Sequence, residues 1–139
     1  MSTEDLARRI IAVAEKLTDM GHLPEIRSIS GWNDEIILRT TTSFLDYPWG
    51  KFRPLADWAT GFGTEIVVSL SGGFGEVSAE FQLGGEKVRV IESIDTEMAY
   101  EFGHVLKQPV DGKPNAVVSV MRFRKALDRL IAEKLESGK

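Results

Sequence analysis

Apolar residues recur at three- and four-residue steps through the first twenty positions, where Leu6, Ile10, Val13, Leu17 and Met20 fall on one stripe with charged residues between them. The spacing predicts a helix over residues 2–20. Ser2 or Thr3 would cap its free amides, Glu4 and Asp5 suit the positive end of its dipole, and Gly21 followed by Pro24 would end it. The rhythm then shortens to two. Residues 24–30, where Ile26 and Ile29 alternate imperfectly, and residues 35–43, rich in β-branched side chains, predict a β-hairpin turned at SGWND with Trp32 at its tip. Thr64 to Leu70, Glu76 to Gln82 and Lys87 to Ser93 are joined by glycine turns. Val77, Ala79 and Phe81 alternate there with Glu76, Ser78, Glu80 and Gln82, which predicts an antiparallel meander.

From Asp95 the helical period returns with Met98, Phe102 and Val105; Asp95 is the expected cap and Gly103 an internal weak point. Asn115 would cap a last helix from Ala116 to about Glu136, with Val117, Val120, Met121, Leu127, Leu130, Ile131 and Leu135 turned inward. The run from Ala116 to Phe123 also suits a sixth, edge strand feeding a shorter helix. Strands in runs, bracketed by helices, predict an α+β fold with one domain over residues 1–139. Its core would be a single antiparallel β-sheet of about five strands, hairpin plus three-stranded meander, packed against N- and C-terminal helices. In outline and size alone this resembles the small chaperones of bacterial type III secretion and small immunity or inhibitor proteins.

Composition narrows the function. A chain of 139 residues buries roughly two thirds of its unfolded surface, so it needs no covalent or metal staple. With no cysteine, disulfides, zinc-thiolate sites, iron-sulfur ligation and thiol nucleophiles are all absent. A net charge of −4 counts against nonspecific nucleic-acid binding, which is carried by Lys and Arg on phosphates. The N-terminal residues hold neither the apolar run of a signal peptide nor a membrane span, so a cytoplasmic protein without membrane contact is expected.

Several motifs invite chemistry and fall short of it. The turn from Leu70 to Val77 resembles in part the glycine-rich loop of protein kinases, but Leu70 replaces its first glycine and no catalytic loop follows. It reads as a hairpin turn whose glycines supply positive φ. Glu97, Glu101 and His104 stand at i, i+4 and i+7, and Glu101-x-x-His104 is half of a di-iron motif. A single copy reads as a solvated acidic face. Arg122, Lys125 and Arg129, with Arg124 beside them, form a basic stripe that could grip phosphate; Asp128 and Glu133 are its local counter-ions, and it reads as solvated. The G-x-S-x-G of a serine nucleophile is absent. No catalytic residue, metal or cofactor is expected.

What remains is the stretch from Phe44 to Gly63, between the hairpin and the meander. It holds six of the twelve aromatics, which makes it the first candidate for a binding surface. Pro54 and Gly61 would bracket a short helical turn at Leu55–Thr60. Tyr47, Trp49, Lys51, Phe52, Arg53 and Trp58 are the candidate contact residues, since aromatics and arginine bury large area with few rotors lost and keep a polar handle. The expectation is a non-enzymatic protein-binding module, chaperone-, adaptor- or inhibitor-like, with a protein partner or a second copy as homodimer. The alternative is a small-ligand or enzymatic pocket between sheet and helices, closed by the same aromatics.

Overall fold

A computed structural model of the protein describes residues 2–20, 26–32, 34–40, 46–112 and 115–137. Helix α1 spans Thr3–Thr18 and is capped by the Ser2 hydroxyl, which accepts a 3.1 Å bond from the Asp5 amide. Gly21 and Pro24, its expected terminators, Phe44 of the aromatic stretch and the side chain of Trp32 lie outside the described residues. Strands β1 (Ile26–Trp32) and β2 (Glu35–Thr40) form the expected hairpin. A register shift between Ile26 and Ser28 accounts for the imperfect alternation there, because the displaced residue puts the next side chain out of phase.

The meander is β3 (Ile66–Ser71), β4 (Phe74–Leu83) and β5 (Glu86–Ile94). Its two turns are made by Gly72-Gly73 and Gly84-Gly85, with φ of 57°, 86°, 59° and 81°, a conformation in which a side chain would be strained. Helix α2 (Arg53–Phe62) lies between β2 and β3, preceded by a 3-10 turn at Trp49–Phe52. Helix α3 spans Thr96–Leu106, followed by β6 (Ala116–Val118) and helix α4 (Val120–Ser137).

One feature of the sheet, its parallel pair, corrects the sequence expectation. The sheet has six strands in the order β1-β2-β5-β4-β3-β6, and it is mixed: β2 pairs β5 in parallel, Ile36 beside Val88 and Leu38 beside Val90. Parallel neighbours need a long crossover, and residues 41–65 with their helical turns supply one. They start β3 away from β2, and the meander then returns toward β2, so its third strand lands there. The sixth strand follows the edge-strand alternative for the run from Ala116, shortened to Ala116–Val118, and helix α4 accordingly begins at Val120. The Ser119 hydroxyl accepts from the Arg122 amide at 3.2 Å, so Ser119 rather than Asn115 caps the helix, and Ala116–Val118 is free to pair with β3. Asp95 caps α3 as expected, accepting from the Met98 amide at 2.8 Å. The helix continues through Gly103, where a Cβ would stand 3.0 Å from the Gln108 carbonyl oxygen, so the glycine admits the following loop against the helix.

One face of the sheet carries Ile36, Leu38, Ile66, Val68, Val77, Ala79, Phe81, Val88 and Val90, all in one apolar cluster with Val13, Phe52, Leu55, Trp58, Phe102, Phe123 and Leu127 from the helical layer. The opposite face carries ion pairs. Arg89 bridges Glu35, at 3.1 Å, and Glu76, while Lys87 reaches Glu35 at 3.3 Å and Glu80 at 3.5 Å. The hydrogen bond that the Lys87 ammonium donates to Glu35, with the charge of Glu80 behind it, raises its pKa above the ordinary value. Among the described residues, helices cover one side of the sheet; the other also holds the buried Ile91 and Ser78 and exposes Glu80, Gln82 and Lys87.

Candidate functional site

The helical period that begins at Trp49 sorts the aromatic stretch into two sides. Trp49, Phe52, Leu55, Ala56, Trp58 and Ala59 turn inward, and Trp49, Phe52 and Trp58 are 4%, 0% and 2% exposed. Trp49 and Phe52 meet Phe102 edge-on at 5.1 and 5.2 Å, and Phe102 stacks on Phe123 at 5.2 Å. Trp58 stacks with Phe62 and Phe81 in a second group. Such pairs add about 0.5–1.5 kcal/mol beyond the area they bury. Half of the six candidate residues are thus core. Pro54 lies in the first turn of α2 as expected, but the helix runs through Gly61 and ends at Gly63, whose φ of 63° gives the left-handed cap.

The other three candidates face outward and lie within a set of cationic contacts to their neighbours. Arg53 lies 3.6 Å from Asp46 and 3.5 Å from Asp128 of α4. Lys51 donates to the Ser93 carbonyl at 2.9 Å. The Tyr47 carbonyl accepts from Lys134 of α4 at 2.9 Å, and the same ammonium stands 5.8 Å from the centre of the Tyr47 ring. Arg124 binds Asp57 at 2.6 Å. Part of the basic character of α4 therefore clamps the aromatic segment in place.

Between residues 47–51, α3 and the C-terminal half of α4 runs an open groove of about 930 Å³. Met98, Val105, Leu130 and an edge of Trp49 supply its apolar lining; Tyr47, Tyr100, Glu97, Glu101, Glu133 and Lys134 are among its polar walls. The expected acidic face, Glu97, Glu101 and His104, lies along one wall. Burial, and after it the charges of Glu97, Asp95 and Glu133, hold the Glu101 carboxyl above its ordinary pKa. The contribution of α4 had no signal in the sequence. Helix α4 runs back past α3: Arg122, near its start, donates to the Leu106 carbonyl at 2.8 Å, while Glu133, near its end, acts on Glu101. Only that packing brings Leu130, Glu133 and Lys134 opposite α3.

The basic stripe lies beside a smaller recess of about 240 Å³ lined by Val105, Leu106, Arg122, Lys125, Ala126 and Arg129. Arg122 is engaged on Leu106 and Arg129 on Glu133, at 3.0 Å. Among the described residues, no group of three or more carboxylates or imidazoles is placed to hold a metal ion, and no helix is long and apolar enough to cross a membrane. No protein-family model, no curated protein and no solved structure matches this chain.

Proposed function

We propose that the protein is a non-enzymatic protein-binding module whose docking surface is the groove between residues 47–51, α3 and α4. The observation that carries this reading is the combination of an apolar lining, Met98, Val105 and Leu130, with a charged and tyrosine-bearing rim in a trough that is open to solvent. A metabolite site of similar volume encloses most of its ligand in a cleft. An open trough instead suits an extended or helical stretch of polypeptide. In this reading Tyr47 and Lys51 belong to the contact surface, Arg53 braces it from the side, and Phe52 and Trp58 support it from the core.

The test is site-specific photocrosslinking in cells that make the protein. A photoreactive phenylalanine at Tyr47 should give a discrete protein adduct, and the same group at Gln82, exposed on the open face of the sheet, should give none. Met98→Lys should abolish the Tyr47 adduct while circular dichroism stays unchanged. Adducts from Gln82 alone would move the surface to the other side of the molecule.

A further inference from the structure

The rim of the groove is unevenly charged. Four carboxylates, Asp95, Glu97, Glu101 and Glu133, line it against two ammonium groups, Lys51 and Lys134. Both ammonium groups already donate to carbonyl oxygens, Ser93 and Tyr47, at 2.9 Å. Asp95 is turned to the Met98 amide and Glu133 to Arg129. Among the described residues, Glu97 and Glu101 have no ion-pair partner. They stand one helical turn apart on α3, and Met98 and Val105 of the same helix contribute to the apolar lining of the groove.

Resting on the reading of this groove as a docking surface, we infer that its occupant is a cationic amphipathic polypeptide segment. It lays apolar side chains on Met98, Val105 and Leu130 and sets Lys or Arg side chains one turn apart against Glu97 and Glu101. Charge complementarity selects this occupant. An acidic segment would add to a crowding of carboxylates that already opposes ionisation of Glu101, whereas a cation relieves it. The apolar lining separates a polypeptide from a small polyamine, which would use the carboxylates alone. Because the carboxylates sit at a solvated rim, they act through encounter rate and selectivity, and their effect weakens with salt.

The experiment uses the whole chain and three labelled peptides of equal length, followed by fluorescence anisotropy. One is a helical amphipathic peptide with Lys at i, i+4 spacing; the second has Glu in place of Lys; the third keeps Lys but has Ser in place of its apolar residues. Only the first should bind, about tenfold more weakly to the Glu97→Gln, Glu101→Gln double variant, a loss equal to about 1.4 kcal/mol. Its affinity should also fall as ionic strength rises. Failure of the first peptide to bind overturns the inference. Equal binding of the Glu peptide, by a protein that Met98→Lys disables, leaves a polypeptide groove but removes its preference for cations. Equal binding of the Ser peptide, or its displacement by spermidine, shows the apolar lining to be idle and likewise overturns it. A dimer in sedimentation that Arg122→Glu with Lys125→Glu dissociates would assign the groove to the basic stripe of a second copy instead. The docking reading itself fails separately, when crosslinks from Tyr47 yield no protein adduct.

Discussion

Between Tyr47 and Trp58 the chain shows two sides drawn from similar residues and put to different use. On the inner side Trp49, Phe52 and Trp58 are almost without exposure and interlock with Phe102, Phe123 and Phe81. On the outer side Tyr47, 59% exposed, is held through its carbonyl by Lys134, Lys51 by the Ser93 carbonyl, and Arg53 by the carboxylates of Asp46 and Asp128. The inner side converts aromatic area into stability; the outer side is held in shape by it. Aromatic richness therefore does not mark a surface until the helical phase has divided it.

The sharpest way to break this division is Phe52→Ala. Losing a buried phenylalanine that touches three other aromatics, Trp49, Phe102 and Phe123, should cost about 3–5 kcal/mol in urea unfolding, enough to leave a marginal domain. Lys134→Met removes the donor to the Tyr47 carbonyl and the charge over its ring, and should cost about 1 kcal/mol by the same measurement. Arg53→Ala, on a solvated pair of contacts, should change stability by no more than about 0.5 kcal/mol, its side chain being nearly half exposed. A double-mutant cycle with Asp128→Ala would expose any larger coupling.

The smallest effect should be one of sign. Glu101 has its carboxyl raised in the folded protein, so its ionised form opposes folding. That penalty is present above the folded pKa and vanishes below the unfolded one. Glu101→Gln should therefore be slightly more stable than the parent at neutral pH, by a few tenths of a kcal/mol at this solvated position. Thermal melts across the carboxylate range should show the gain disappear as the pH falls.

Much of the fold was legible because local rules were obeyed. The stripe from Leu6 to Met20, the alternation from Glu76 to Gln82 and the paired glycines each have a short-range cause. The parallel pairing was not legible in the strands themselves, since nothing in Ile36 to Leu38 distinguishes a parallel neighbour; its sign was the length and helical content of residues 41–65. The late start of α4 had a visible mark in Ser119, a better cap than Asn115 for the helix that forms. The two sides of the aromatic stretch were legible too, since Trp49, Phe52, Ala56 and Ala59 repeat at helical intervals with Leu55 and Trp58 beside them. The groove was half legible: Glu97, Glu101 and His104 share a face by spacing alone, whereas Glu133 and Lys134 face them only after α4 has packed back along α3.

The seam between β2 and β5 bears on how the molecule comes together. Strands β3, β4 and β5 close on two-residue turns, so they can zip with little loop entropy to overcome, and their contacts are local. Helix α1, β1 and β2 lie beyond that seam. They reach the rest through three paired positions of β2, the packing of Val13 in the shared core and contacts such as Arg9 to Glu86 at 2.7 Å. On this ground α1, β1 and β2 are expected to open before the meander. In native-state hydrogen exchange the amides of β1 and β2 should open together, at a lower free energy than those of β4, without the meander coming apart.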